Sequence, residues 1–513
     1  MIVTKKSNLN RNKGKGIEYI ISFILLTIYL LFPTHNSTLD AYNYAVEIKW
    51  NRDLFSPHHL LYNPFGYILY HFLHLIGWHI ATLPLMKIVN AVFAGLSLIT
   101  LSKILNLLTT NVSKITSLLF LTGSSFAVMR FATENETYII PIFFSLIANF
   151  YLTKYLCNQQ KNYYIVLSGF FGATACLFHQ IHFFWWLGIL VSYLLFVKKN
   201  KIEVLVYYIS SAIIVPLAYL AVIKFYMHQN IKIENFIHFL FHDYYTGAVH
   251  TNVTSLNFIL TIISLIRTFF QVHGSTFFIL KKGGFYILPA IISLIGLAFS
   301  IYYFSRVKRS SLFTINYPFV FFSQLIIVTL QFCFAFYSVG NSEFMVMIPF
   351  LISIILVCFI NLKTKAILAI SIALFIWNFS YGIFPNYSYD YNGNKKLINY
   401  IKKYPGYYFI LQNKENIECE LFYQDRNRPS NLWPHPSHFA LMNTTPDTLI
   451  GLITNAKQKG QIIITDCYNN ETGFDRRNFI AGNANYLFFK SYNLVPWDSI
   501  ETFYGMNKLY RIN

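Results

Sequence analysis

The residues of this chain best suited to chemistry are carboxylates set beside long apolar runs. Asp40 lies in the polar stretch Thr38-Leu39-Asp40-Ala41-Tyr42-Asn43-Tyr44, just after the apolar run 17–33. A carboxylate there can take a proton from an acceptor hydroxyl while a sugar leaves a lipid phosphate; it can equally cap an amphipathic helix over 40–50. Glu134 and Glu136 flank Asn135 just before another apolar run, and Glu343 precedes a later one in Gly340-Asn341-Ser342-Glu343-Phe344. Each reads as a site acid or pocket residue, or as a carboxylate favouring the positive end of the following helix.

The basic candidates are His58, His59, Arg130 and Arg267. His58 and His59 follow Pro57 and can bond a phosphate or anchor a helix at an interface. Arg130 lies near the end of the third apolar run, and Arg267 lies inside another. A charge at membrane depth is costly unless it is paired or faces a polar cavity. A guanidinium fork suits phosphate, and the competing reading is an arginine that snorkels to the surface. His179 and Gln180 sit at a turn between two apolar runs, where they line a pocket or form a structural pair.

The elements that must position these residues are membrane helices. The 513 residues are 55% hydrophobic, 19% aromatic and only 12% charged, where a soluble globule carries about 25% charge. The net charge of +19 raises nucleic acid as a partner, but the basic residues cluster as cytoplasmic loops of a membrane protein do. The clusters are Lys5/Lys6/Arg11/Lys13/Lys15, Lys103/Lys114, Lys154/Lys161, Lys198/Lys199/Lys201, Arg306/Lys308/Arg309 and Lys363/Lys365. Holding them all inside predicts about eleven transmembrane helices, over 17–33, 84–105, 115–131, 138–156, 163–179, 181–197, 204–225, 285–305, 317–337, 344–361 and 365–383. The first run lacks a small-residue cleavage site and reads as a retained helix. Stretch 60–80 then lies at the interface, and 256–280, with Arg267 and His273, is re-entrant or interfacial.

The fold class is therefore a mainly α polytopic membrane protein with a small C-terminal α/β domain. Residues 1–16 form a basic cytoplasmic N-terminus. Residues 17–385 form the membrane domain, with outer loops 34–83 and 226–284, and residues 386–513 form the extracytoplasmic α/β domain. In that domain the runs 407–411, 461–465 and 486–489 read as strands, and 446–459 reads as a helix capped by Thr444 or Thr445. Cys419 and Cys467 both fall there, where a disulfide can form; Cys157, Cys176, Cys333 and Cys358 lie in or beside spans. The sequence holds no phosphate-binding glycine loop, no GxSxG, no HExxH and no zinc-like Cys/His spacing. Few ionisable residues lie within the spans, which disfavours a coupled transporter.

The order of these features resembles the GT-C superfamily of membrane glycosyltransferases, such as protein O-mannosyltransferases and aminoarabinose transferases. Asn63-Pro64-Phe65-Gly66-Tyr67-Ile68-Leu69-Tyr70 is similar to the His-Pro-Pro-Gly-Tyr-Pro-Leu-Tyr run of a bacterial branch, differing at Asn63, Phe65 and Ile68. Lys87-Ile88-Val89-Asn90 resembles an Arg-Val-Asn-like helix opening, and Glu136-Thr137-Tyr138 resembles the branch's Glu-Val-Tyr. Many members pair the Asp with a nearby Glu, whereas Asp40 is followed by Asn43. The resemblance spans about 17–361 and is strongest over 38–140. It implies inverting transfer of a sugar from a polyprenyl-phosphate donor, at the outer face of the cytoplasmic membrane, to a protein, lipid or glycan acceptor. Asp40 would be the base, Glu136 a second acid, and His58, His59, Arg130 and Arg267 the donor-binding residues. Glu134, Tyr67, His179 and Glu343 would line the acceptor pocket, and the C-terminal domain would shape acceptor binding. No cofactor is implied; a divalent ion stays open, and membrane lipids rather than nucleic acid are the partners. The alternatives are a flippase of lipid-linked glycans and a non-catalytic envelope-assembly protein.

Overall fold

The structure, a computed structural model, describes residues 16–157, 161–198, 200–246, 253–272, 275–306, 314–441, 446–468 and 485–513. The basic residues at 5–15, Lys199, His273, Lys308, Arg309 and the proposed caps Thr444 and Thr445 lie outside them. The chain divides into two compact units: Met1–Pro33 with Asn51–Phe384, and Thr34–Trp50 with Pro385–Asn513.

The first unit is helical. Each of the eleven segments read as spans coincides with a helix or a run of two or three adjoining helical elements. Among the described residues, six helices are long and apolar enough to cross a membrane, and Val112–Ser124 with Phe126–Ala132, bent by 64°, would make a seventh. Ile17–Leu31, Asn162–Phe178, Gln180–Phe196 and Ser342–Val357 are apolar but shorter, as is Ser255–Phe269 in the 256–280 stretch. Tyr62–Leu75 has 14 residues, about 21 Å at 1.5 Å per residue, short of a hydrocarbon core of about 30 Å. Its Ile68, Phe72 and Leu75 are exposed.

The bend after Ser124 has a local cause. Gly123-Ser124-Ser125 is a weak helical segment, and Ser/Gly pairs are a recognised source of kinks. The Ser125 hydroxyl bonds back to the Leu121 carbonyl at 2.8 Å. The Ser124 carbonyl accepts from Asn378 Nδ2 at 2.8 Å, and the same amide also reaches the Phe269 carbonyl at 2.7 Å. Elsewhere in the bundle the buried Asn149 and Gln324 exchange amide hydrogen bonds of 2.7 and 3.0 Å.

The second unit is built on a five-stranded sheet of order β2-β1-β3-β5-β4. The strands are β1 Tyr408–Ile410, β2 Leu432–Trp433, β3 Ile463–Thr465, β4 Leu494–Thr502 and β5 Gly505–Ile512. β1 is parallel to β2 and β3, while β5 is antiparallel to β3 and β4. Successive side chains of a strand face opposite ways, so Phe409 and Ile464 join a core with Leu397, Ile401, Ile417 and Leu421, while Ile410 and Ile463 join Leu449, Ile453 and Phe489 on the other face. The result is a sheet with helices on both faces.

One sequence expectation changes here. Residues 485–489 are helical, not a strand. The long β4–β5 hairpin escapes a simple alternation search because the register shifts between Pro496 and Asp498. Cys419 and Cys467 are both free thiols. Cys419 Sγ lies 3.0 Å from Asn43 Oδ1, and burial, with Glu418 and Asp40 nearby, pushes its thiol up to about 11.

Candidate functional site

The site builds from the helix Thr82–Leu108 outward. Lys87 and Asn90, three residues apart, share one face of this helix, and both side chains are buried. Asn90 Nδ2 donates to the backbone carbonyls of Glu134 (2.7 Å) and Glu136 (2.8 Å). One amide thus fixes both ends of the Glu134-Asn135-Glu136 turn. The Tyr62 hydroxyl donates to Asn135 Oδ1 at 2.8 Å and accepts from Asn90 at 3.3 Å. Burial raises the Tyr62 phenol well above its ordinary range; the Asn90 bond opposes this, and Glu136 and Glu134 add to it.

Glu134 is fully buried. Its Oε2 lies 3.2 Å from Arg130 Nη1, and its Oε1 lies 3.5 Å from Lys87 Nζ. The Asn135 backbone N–H also donates to Oε1 at 2.9 Å. Glu134 is therefore the counter-ion of two cations, which is more than a carboxylate at a helix start. Glu136 is also buried, at 3% exposure.

Glu343 joins through Tyr138, whose hydroxyl donates to Glu343 Oε2 at 2.8 Å. Its turn is set by Gly340, at φ +67°, where a Cβ would press on the Leu260–Thr261 backbone. Only glycine enters that conformation and that gap cheaply. The Tyr138 ring stacks on His179 at 5.0 Å. His179 lies 6.4 Å from His58, and His58 lies 4.2 Å from His59, ring to ring. His58 Nδ1 is 3.3 Å from Asp243 Oδ2. Burial, then His58 and His179, hold the His59 imidazole well below its ordinary value. Gln180 Nε2 donates to the carbonyls of Pro57 (3.0 Å) and Leu240 (3.1 Å), tying this corner together.

Arg267 lies in the last turn of Ser255–Phe269. That helix packs against the helix carrying Arg130 and the turn carrying Glu343. Arg267 and Leu260 are seven residues apart and share a helix face, so the backbone of Arg267 lies about 10 Å along the helix from the Gly340 crossing. Its Nε is buried and has no hydrogen-bond partner among the described residues.

The first unit thus brings Glu134, Glu136, Arg130, His58, His59, His179 and Glu343 into one connected polar cluster, with Arg267 on an adjoining helix. Tyr67 does not join by any ring contact of the cluster; its ring packs on His71 of its own helix, 4.2 Å away. Lys87, Asn90, Tyr62, Tyr138 and Asp243 complete the cluster, and the sequence reading gave none of them a role there. The signal for Lys87 and Asn90 was present: a lysine and an asparagine on one face of a long apolar helix need partners.

Asp40 belongs to the second unit. It is exposed, in the first turn of Leu39–Trp50. The Ala41 N–H is received by Thr38 Oγ1 at 3.1 Å, so Thr38 takes the capping part that the sequence also allowed to Asp40. The helix is held to Lys414–Asp425: Lys49 Nζ donates to the Tyr423 carbonyl at 2.7 Å, and Trp50 Nε1 donates to the Phe422 carbonyl at 3.1 Å. Among the described residues, no group of three or more His, Cys, Asp or Glu side chains is arranged to hold a metal ion.

No family model and no curated protein matches the chain. Among solved structures, the apo oligosaccharyltransferase of Archaeoglobus fulgidus matches over 94% of this chain and 73% of its own, at 11% identity and a TM-score of 0.48. The same organism's AglB, in complex with an inhibitory peptide and a dolichol-phosphate, matches over 98% and 74%, at 11% identity and a TM-score of 0.47. ArnT from Cupriavidus metallidurans, bound to undecaprenyl phosphate, matches over 96% and 97%, at 9% identity and a TM-score of 0.37.

Proposed function

We propose that this chain is a GT-C-type membrane glycosyltransferase that moves a sugar from a polyprenyl-phosphate donor to an acceptor at the outer face of the cytoplasmic membrane. On this reading all eleven helical segments span, the N-terminus is cytoplasmic and the C-terminal unit is extracytoplasmic. Asp40 takes the proton from the acceptor hydroxyl. The acceptor oxygen then attacks the anomeric carbon on the face opposite the phosphate, the carbon–oxygen bond to phosphate breaks, and the configuration inverts. Glu136 serves as a second acid of the site. The lipid phosphate leaves with its charge held by Arg267, assisted by His58, His59 and Arg130.

One observation carries the reading: Arg267 holds a buried guanidinium nitrogen that no described residue accepts from. Burying a donor without an acceptor costs about 1–3 kcal/mol, and a bound anion removes that cost. Arg130 and Lys87, by contrast, already share Glu134. The flippase alternative needs a polar path through the spans, whereas the deep pair Asn149–Gln324 bonds to itself.

The test is binding of undecaprenyl phosphate to purified wild-type and Arg267→Ala protein, followed by native mass spectrometry. Loss of a charge-assisted hydrogen bond of about 1.5–3 kcal/mol predicts roughly 10- to 150-fold weaker binding in the variant. Equal binding by both would remove Arg267 from the donor site.

A further inference from the structure

The connectivity of the second unit points to a site of its own. β1 lies between β2 and β3, and all three are parallel. From β1 the chain crosses to one side, and it returns from β2 to lay β3 on the other. In open α/β sheets such a reversal leaves a crevice at the carboxyl ends of the two central strands. A shallow depression is found there, with a volume of about 20 Å³, lined by Tyr391, Asn392, Gln412, Asn413, Asp466, Thr502 and Asn507. Gln412 and Asn413 follow β1 closely and Asp466 follows β3 directly, while Asn507 comes from the neighbouring β5.

We infer that this crevice receives a hydroxyl of a neutral carbohydrate, one sugar residue of a glycan chain seated over its mouth. The lining is a carboxylate, four carboxamides and two hydroxyls, with no Lys, Arg or His. An anionic ligand would meet a carboxylate with no cation to offset it. An apolar ligand would leave Asn392 Oδ1 without a donor. A polyol, alternately donating and accepting, supplies one.

The polar groups are held in place. Asp466 is buried at 3% exposure; its Oδ1 accepts from the Gln412 N–H at 2.8 Å and its Oδ2 from Asn507 Nδ2 at 3.1 Å. Both oxygens are thus engaged, and Asp466 is the only carboxylate of the lining, which argues for a hydrogen-bonded ligand over a cation. Asn392 Oδ1 is a buried acceptor without a partner among the described residues. Its position is set by Gly393, at φ +68°, where a Cβ would lie 2.8 Å from Ile500 Cγ2. The backbone N–H groups of Asn392 and Gly393 both donate to Asp390 Oδ1, at 3.2 and 2.9 Å. Preset polar groups of this kind fix a ligand's orientation at low cost.

This inference stands apart from the donor-site reading, and the experiment keeps them separate. The full-length protein in nanodiscs is titrated with the methyl glycosides of glucose, galactose, mannose and N-acetylglucosamine, followed by saturation-transfer NMR. A glycan array carrying neutral and acidic chains runs in parallel. The expected result is binding of at least one neutral sugar, weakened tenfold or more in Asn392→Ala and in Asn507→Ala. Asn392→Ala should bind undecaprenyl phosphate as wild type does, which confirms an intact fold. The inference is overturned if no neutral sugar binds in either format, if only acidic glycans are retained, or if both variants bind sugar as wild type does.

Discussion

Replacing Glu134 by Gln removes one charge and little else, because glutamine keeps an oxygen that can accept the Asn135 N–H. What remains is Lys87 and Arg130 without the carboxylate that they share. Glu134 is fully buried, and the side chains of Lys87 and Arg130 are only 8% and 19% exposed. At separations of 3.5 and 3.2 Å, an effective dielectric of about 20 gives each pair roughly 5 kcal/mol of gross attraction. Desolvation offsets much of this when the pair forms, yet breaking a buried pair by removing one partner costs about 3–5 kcal/mol, since the other charge stays buried. The expectation is a Tm several degrees below wild type in detergent, measured by scanning fluorimetry. Lys87→Met placed in the Glu134→Gln background should recover part of the loss, with a coupling of about 1–3 kcal/mol. A Glu134→Gln protein as stable as wild type, or a double variant no better than the single, would refute the ion-pair account.

Two further outcomes follow from the same cluster. His59, facing His58, His179 and Tyr62, is held neutral in the folded state while the unfolded imidazole titrates near 6.5. Its contribution is thus present above about pH 6.5 and lost as pH falls, by up to about 1.4 kcal/mol per unit; His59→Phe should flatten Tm between pH 7 and 5, and an unchanged slope would contradict this. Gly340→Ala should destabilise by about 1–3 kcal/mol, and Leu260→Ala in the same chain should relieve little of it, because the clash is with backbone; a neutral Gly340→Ala would mean the Glu343 turn is free to shift.

Much of the helical unit is legible from apolar run length, because a membrane helix must satisfy its own backbone. The boundary between the units falls at Phe384/Pro385, where the apolar runs cease. The helix carrying Asp40 is a different matter. Read as part of the membrane domain's outer loop, Thr34–Trp50 groups with Pro385–Asn513, through contacts such as Asn43 with Cys419 that join residues more than 370 positions apart. No local pattern encodes such a contact. The same holds for the site. Carboxylates and guanidiniums announce themselves as types, so Glu134, Glu343 and Arg267 stand out in the sequence. Their partners are less legible: Lys87 shows only that it needs a counter-ion, Tyr138 reads as one more aromatic, and Asp243 as a loop residue. The β4–β5 hairpin was hidden by its irregular register, and residues 485–489 by aromatic residues that suit either a strand or a helix.

The most direct measurement is sugar transfer by purified wild-type and Asp40→Asn protein, with a panel of polyprenyl-phosphate sugars as donors and membrane extract as acceptor. The account predicts transfer by wild type with at least one donor and its collapse in Asp40→Asn, at unchanged Tm and unchanged undecaprenyl phosphate binding. Equal transfer by both proteins would contradict Asp40 as the base, and no transfer by wild type with any donor would contradict the glycosyltransferase reading itself.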